Sequence, residues 1–290
     1  MVGLLAEPCL GEEITTVSLK EVGTRGWFTV AGPVASFDPT SPHVEIWAPG
    51  SSQNPPVMVF AHGGAGYRDD DHARVEMFRR FGFATVSFDA YEMNGLTDWE
   101  FVSRKVTNSA KQKMIWGIYE GAVSYAVARS DWDGQNTFLY GTSNGGRVAL
   151  YAGSLLKLDG IQGIVAEAPA ATGLPLGDYA IPTIVIFGKL DTWAGKSETD
   201  FVWTRTYPNS PTSIADWVEA MQRRSRPVRF IFYENAGHLL FDGPLEKVTV
   251  KRGKAIAFSA YRGADAGVLE QYEHDVMTFV SDLTQSDRRE

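Results

Sequence analysis

Residues 137–146 read Thr137-Phe138-Leu139-Tyr140-Gly141-Thr142-Ser143-Asn144-Gly145-Gly146, an apolar run followed at once by the pattern GxSxG. The apolar run predicts a buried strand, and the residues from Gly146 to Leu150 predict the beginning of a helix. Glycines allow a sharp turn and a close approach of neighbouring backbone. The stretch therefore predicts a nucleophile elbow, in which a strand-turn-helix holds the Ser143 hydroxyl at the edge of a sheet.

Short apolar runs alternate with helical patterns on both sides of this stretch. The strand-like runs cover 57–61, 84–88, 137–140, 164–166, 183–187 and 228–233, and the helical stripes cover 75–81, 115–126 and 269–283. This alternation is typical of a mostly parallel sheet with helices on both faces. With antiparallel edge strands expected at 13–23 and 44–47, the sequence predicts an α/β fold with an eight-stranded sheet in a single domain over 1–290.

Two connections, 91–110 and 192–227, do not fit the alternation. Long connections at the carboxyl ends of strands are where α/β sheets build pockets, so we expect a lid or pocket insertion at 192–227. The candidate substrate-binding residues are the aromatic side chains of these connections: Tyr91, Trp99, Trp193 and Trp203. Each can equally well pack in a small apolar cluster under its loop.

Ser143 is followed along the chain by an acid and a base at strand ends. Asp191 comes just after the strand that ends at Gly188, and His238 comes in the loop after the strand 228–233. A serine hydroxyl needs a base within hydrogen-bond reach and a group that orients the base. The order Ser143, Asp191, His238 matches that requirement and predicts a catalytic triad.

Each of these residues also has an ordinary structural interpretation. An aspartate after a strand often caps a turn or a helix, and a loop histidine is often simply packed. Asp200 and Glu198 are alternative acids, whereas Asp242 is a poorer one because it lies past the histidine and suits a turn or cap.

A glycine loop, His62-Gly63-Gly64-Ala65-Gly66, directly follows the strand 57–61. Such a loop can direct a backbone amide at a developing oxyanion, so we predict an oxyanion hole made by the amides of Gly64 and Asn144. Phosphate binding is disfavoured because the loop is not GxGxxG and lacks the lysine of a P-loop. The run Asp69-Asp70-Asp71-His72 suits a solvated helix start better than a metal site, and neither a metal nor another cofactor is expected.

Composition limits the partners of the chain. The net charge of −8 argues against nucleic acid and against an anionic membrane surface, and no run approaches the length of a membrane span. Cys9 is the only cysteine, and the residues from Met1 to Pro8 lack the basic start and long apolar run of a signal peptide. We therefore expect a cytoplasmic location and a small-molecule substrate; a homodimer is left open.

With these motifs in place, residues 44–284 resemble the α/β-hydrolase superfamily. The segments 56–66, 141–145 and 235–242 look most like the dienelactone hydrolase family, in which an Ala-Gly-His-x-Phe segment precedes a short loop and a closing helix. Here the sequence is Ala236-Gly237-His238, and the phenylalanine comes one residue later, at Phe241. The resemblance implies hydrolysis of an ester or lactone without a cofactor.

The chain departs from that family in its nucleophile and its first loop. Dienelactone hydrolase uses a cysteine and carries an acidic residue after its first core strand, whereas this chain has Ser143 and His62-Gly63-Gly64. The connection 192–227 also looks longer, which indicates a different pocket. The two glycines after the serine, Gly145 and Gly146, resemble the same part of the sequence in prolyl-oligopeptidase-like serine peptidases.

Three functions are therefore compatible with the sequence. The first is a serine hydrolase that cleaves a carboxylic ester or lactone through an acyl-enzyme. The second is a peptidase or amidase that uses the same triad, and the third is a non-catalytic binding protein that keeps the fold. Neither the substrate nor the choice between ester and amide follows from the sequence.

Overall fold

The structure is a computed structural model. It describes residues 19–22, 27–30, 32–50, 54–98, 101–102, 105–156, 158–169, 180–193, 197, 199–206, 212–252 and 256–286. The strands are β1 Leu19–Val22, β2 Trp27–Val30, β3 Val44–Trp47, β4 Pro56–Ala61, β5 Ala84–Phe88, β6 Asp133–Thr142, β7 Ile161–Glu167, β8 Thr183–Gly188, β9 Val228–Tyr233, β10 Glu246–Arg252 and β11 Ile256–Arg262. The α-helices are α1 Asp69–Arg80, α2 Asn108–Ala128, α3 Asn144–Leu155, α4 Ile214–Arg223 and α5 Ala266–Ser286.

The main sheet has seven strands in the order β3-β5-β4-β6-β7-β8-β9. β3 pairs antiparallel with β5, and all the other pairs are parallel. The carboxyl ends of β4 to β9 therefore lie along one edge, which is where ligands bind in open α/β sheets.

Helices cover both faces of the sheet, as the apolar strands require. In β4, Val57 and Val59 face a core that includes α2, α3 and α4, whereas Met58 and Phe60 face a second core with α1 and α5. The mostly parallel sheet with helices on both faces is therefore confirmed.

The number of strands in the sheet is seven, not eight. The expected edge strand at 13–23 corresponds to β1, which pairs with β2 in a separate two-stranded sheet because the two strands satisfy each other's backbone groups. Residues 13–18 and Gly23 lie outside the described part of the chain.

A second hairpin, β10 with β11, was not predicted. Its first strand reads Glu246-Lys247-Val248-Thr249-Val250-Lys251-Arg252, and so many charges hide the alternation of a strand. Phe81, assigned to the apolar stripe of α1, instead follows the end of that helix and is 53% exposed.

The connection 192–227 is only partly described. Its helix α4 buries Ile214, Trp217, Val218 and Met221 against the sheet, so this part covers the core as the other helices do. A lid or pocket role for the rest of the connection stays a prediction, as does the single domain over 1–290. Within the described residues, no helix is long and apolar enough to cross a membrane.

Candidate active site

Ser143 lies between the end of β6 and the beginning of α3, in a backbone conformation that residues other than glycine rarely adopt. Its φ is 49° and its ψ is −111°, and its N–H donates to the carbonyl oxygen of Glu167 at 2.8 Å. A Cβ on Gly141 would lie 2.3 Å from the carbonyl oxygen of Gly145, and a Cβ on Gly145 would lie 2.1 Å from that of Ala61. Only glycine fits at these two positions, so the pattern GxSxG forms the tight turn expected of an elbow.

The structure brings Asp191 and His238 together. Nδ1 of His238 lies 2.9 Å from Oδ2 of Asp191, and both residues are buried. The other carboxylate oxygen of Asp191 accepts the backbone N–H of Trp193 at 3.0 Å. A histidine that donates from Nδ1 to a fixed carboxylate keeps Nε2 as its proton acceptor, which is the tautomer that a general base needs.

The unpredicted hairpin holds the loop of His238. The backbone N–H of His238 donates to the carbonyl oxygen of Tyr261 in β11 at 2.8 Å, and Gly263 N–H donates back to the His238 carbonyl oxygen at 3.3 Å. The backbone of His238 therefore pairs with the end of β11, and this pairing fixes the loop that carries the histidine.

Trp193 covers one face of the His238 ring. The two rings are parallel to within 3°, with centroids 5.4 Å apart. Trp193 thus contacts both members of the pair, Asp191 through its backbone and His238 through its ring. Its predicted role in substrate binding stays a prediction.

The glycine loop after β4 lies against the elbow. A Cβ on Gly63 would be 3.6 Å from Ser143 Cβ, and a Cβ on Gly64 would be 2.8 Å from Asn144 Nδ2. The Asn144 side chain is fixed in turn, because its Oδ1 accepts from Gln112 Nε2 at 2.9 Å. Gly64 and Asn144 are therefore neighbours, as an oxyanion hole built from their two amides requires.

His62 fixes the start of this loop. Ala90 N–H donates to His62 Nε2 at 2.9 Å, so the ring proton sits on Nδ1, which donates to the Gly63 carbonyl oxygen at 2.8 Å. Burial lowers the pKa of His62, which favours this neutral form. The sequence placed His62 in the loop but gave it no role; its position beside Gly63 was the available signal.

The other three aromatic residues predicted to contact substrate lie in different surroundings. Tyr91 is buried edge-on against His62 at a centroid distance of 4.8 Å, under the glycine loop. Trp203 packs in an aromatic cluster with Phe187 and Phe232, and its role in substrate binding stays a prediction. Trp99 lies outside the described residues.

The alternative acids do not contact His238 in the described geometry. Asp200 pairs with Arg205 at 3.1 Å, and Asp242 lies 3.5 Å from Arg262. Glu198 lies outside the described residues.

Among the described residues there is no group of three or more histidine, cysteine or acidic side chains that could hold a metal ion. The acidic run 69–71 forms the first turn of α1, where carboxylates favour the helix N-terminus. Asp70 in that run also accepts from Arg74 at 2.8 Å.

Sequence reasoning missed a second buried carboxylate, Glu167, at the end of β7. Both of its oxygens accept from Arg74 at 2.8 Å, and Tyr140 Oη donates to Oε2 at 2.8 Å. Burial raises the pKa of Glu167, but the Arg74 charge and these hydrogen bonds outweigh it and lower the pKa. A polar residue that ends an apolar strand run was the only signal in the sequence.

Lys111 is a buried cation beside the glycine loop. Its Cδ lies 3.9 Å from the place of a Cβ on Gly64. Burial lowers the pKa of this amine to about 8. The ammonium form therefore predominates at neutral pH.

Comparison with solved structures identifies the fold. The chain is similar to a dienelactone hydrolase-like promiscuous phosphotriesterase from metagenomic libraries, with 16% identity and a TM-score of 0.55 over 83% of this chain and 92% of the other. It is also similar to a proposed dienelactone hydrolase from Klebsiella pneumoniae subsp. pneumoniae, with 14% identity and a TM-score of 0.50 over 66% and 79%. No protein-family model matches the sequence, and no curated protein matches it significantly. The chain has the α/β-hydrolase fold, and the predicted resemblance is confirmed at the level of the fold.

Proposed function

We propose that this chain, with its α/β-hydrolase fold, is a serine hydrolase that cleaves a carboxylic ester or lactone of a small molecule. The observation that carries the proposal is the 2.9 Å contact between His238 Nδ1 and the buried Asp191, at the sheet edge where Ser143 occupies a strained elbow. Strained backbone of this kind is found more often at active sites than elsewhere.

In this mechanism Ser143 Oγ attacks the substrate carbonyl while His238 Nε2 takes the hydroxyl proton. Asp191 keeps the proton on Nδ1 and stabilises the imidazolium that forms. The amides of Gly64 and Asn144 donate to the oxyanion, and His238 then passes its proton to the leaving alcohol. Water activated by the same histidine releases the acid and restores Ser143.

Names of the structural neighbours agree with this class of reaction. They include a dienelactone hydrolase-like phosphotriesterase and a proposed dienelactone hydrolase, so an ester bond is the first bond to test. The net charge of −8 and the single cysteine remain the basis for proposing a cytoplasmic enzyme that acts on a small molecule.

The proposal is tested with Ser143→Ala and an activated short-chain ester such as p-nitrophenyl acetate. We expect kcat/KM to fall on the order of 10⁴-fold or more, because the nucleophile is lost while the fold is kept. Ser154→Ala is the matched control, since Ser154 lies near the other end of α3 and donates only to the Tyr151 carbonyl oxygen. Turnover of Ser143→Ala equal to that of the control would contradict the assignment.

A peptidase or amidase would use the same residues, so substrate comparison separates the two. Matched ester and anilide substrates with the same acyl group are compared, because an ester is the more reactive of the two and a peptidase would cleave it as well. We expect turnover of the ester alone; turnover of the anilide that is lost in Ser143→Ala would favour the amidase.

A further inference from the structure

Glu167 touches the nucleophile elbow and the histidine loop at the same time. Its carbonyl oxygen accepts the Ser143 N–H at 2.8 Å, and its Oε1 accepts the Leu240 N–H at 2.8 Å, two residues past His238. Its side chain is fully buried. One residue of β7 therefore links the two loops that carry the proposed nucleophile and base.

Three unusual backbone conformations meet at this residue. Five non-glycine residues of the described chain have positive φ, and three of them adjoin Glu167 or its partners: Ser143 at 49°, Ala168 at 44° and Leu239 at 54°. Ser143 is bonded to the Glu167 backbone, Ala168 follows it, and Leu239 lies between His238 and the bonded Leu240. Such conformations are unfavourable for residues with a side chain and persist when the surroundings hold them.

The Glu167 carboxylate is suited to hold them because it is itself fixed on several sides. Arg74 binds both of its oxygens, and Tyr140 and Tyr272 donate to Oε2 at 2.8 and 3.3 Å. Hydrogen bonds to an ionised carboxylate are stronger than those between neutral groups. Arg74 also lies 5.0 Å from the centre of the Phe241 ring, so the ion pair contacts the histidine loop a second time.

The geometry points to Glu167 as a positioning residue, which holds the His238 loop in register with the Ser143 elbow through Leu240 N–H and its own carbonyl. This inference rests on the proposed hydrolase function. Glu167 does not touch the reacting atoms, and it acts through His238 and Ser143. A role confined to stability would leave the turnover of each folded active site unchanged.

The test uses Glu167→Gln, which keeps the size of the side chain but removes its negative charge and replaces one of the two oxygens that accept from Arg74 and Leu240 with an N–H donor. A fluorophosphonate probe first counts active serines at the end point of labelling, and kcat is then expressed per labelled site. We expect roughly a 10- to 100-fold lower kcat per site with KM changed less than threefold, because misplacement of a catalytic group slows the chemical step. A kcat per site within twofold of wild type would overturn the inference.

Two further variants keep the test decisive. Tyr233→Phe is the matched control: Tyr233 is buried and donates to Asp275 of α5 at 2.9 Å, so its loss weakens the same side of the fold and should leave kcat per site unchanged. If Glu167→Gln does not fold, Arg74→Met with Glu167→Met removes both charges of the pair at once, and Asp70 and Asp71 then lose Arg74 as a partner. The double variant should show the same loss of kcat per site, and full turnover in it would likewise overturn the inference.

Failure of this inference is distinct from failure of the proposed function. Wild-type protein that turns over no ester and takes up no label at Ser143 would refute the hydrolase. Labelled, active wild type with an equally active Glu167→Gln would refute only the role of Glu167.

Discussion

Asp191 and Glu167 are two fully buried carboxylates at the same edge of the sheet, one after β8 and one at the end of β7, with different partners. Asp191 accepts from a histidine, whose neutral ring donates from one nitrogen and accepts at the other. Glu167 accepts from an arginine, which stays protonated. Two similar buried carboxylates therefore have different proposed roles, Asp191 in catalysis and Glu167 in positioning, because each contacts a different kind of side chain.

The largest expected effect separates the two carboxylates by activity. Asp191→Asn should lower kcat by roughly 10³- to 10⁴-fold, because an amide can stabilise the wrong histidine tautomer and no longer stabilises the imidazolium. Ester hydrolysis at saturating substrate measures it. Asp200→Asn is the control, since Asp200 pairs with Arg205 and should be dispensable for turnover. A large loss in Asp200→Asn with little loss in Asp191→Asn would reverse the assignment of the acid.

The next largest effect distinguishes Asp191 from Glu167 by how much each contributes to the stability of the fold. Glu167→Gln leaves the buried Arg74 without its bidentate partner but still within 2.8 Å of Asp70, so we expect the free energy of unfolding to fall by about 3 kcal/mol, the lower end for a broken buried pair. Asp191→Asn should cost less, because its histidine partner can remain neutral. Urea unfolding of both variants compares them, and an equal or greater loss in Asp191→Asn would break the distinction.

The smallest expected effect is the change with pH in the stability that Glu167→Gln loses. The pKa of Glu167 is lowered from its ordinary 4.5 in the fold, chiefly by Arg74 acting against burial, so the ionised carboxylate stabilises the protein above that pH. Its contribution is lost as pH falls through the lowered pKa. The difference in unfolding free energy between wild type and Glu167→Gln should be constant above about pH 5 and should shrink below about pH 4.5. A difference that grows on acidification would contradict the ionised state.

The sequence was sufficient to predict which segments lie together at the edge of the sheet. Parallel strands place their carboxyl ends together, so apolar runs alone predicted that the segments of Ser143, Asp191 and His238 share an edge. The contact of Asp191 with His238 is the geometry that this prediction requires.

Contacts between distant segments could not be predicted in this way. Arg74 and Glu167 are 93 residues apart in the sequence. The sequence around Arg74 is typical of a surface helix and that around Glu167 of a strand end, so neither indicates that the two residues form a pair. The hairpin that supports His238 was hidden because its charged residues break the apolar alternation. An aromatic side chain can fill either a pocket or a core cluster, so the sequence left both roles open for Trp203, which packs against Phe187 and Phe232.

The most direct measurement of the central claim is the site of covalent labelling by a fluorophosphonate. We expect one adduct per folded chain, located on Ser143 by peptide mass spectrometry and absent from Ser143→Ala. Labelling of another residue, or no labelling of a folded wild-type chain, would contradict it.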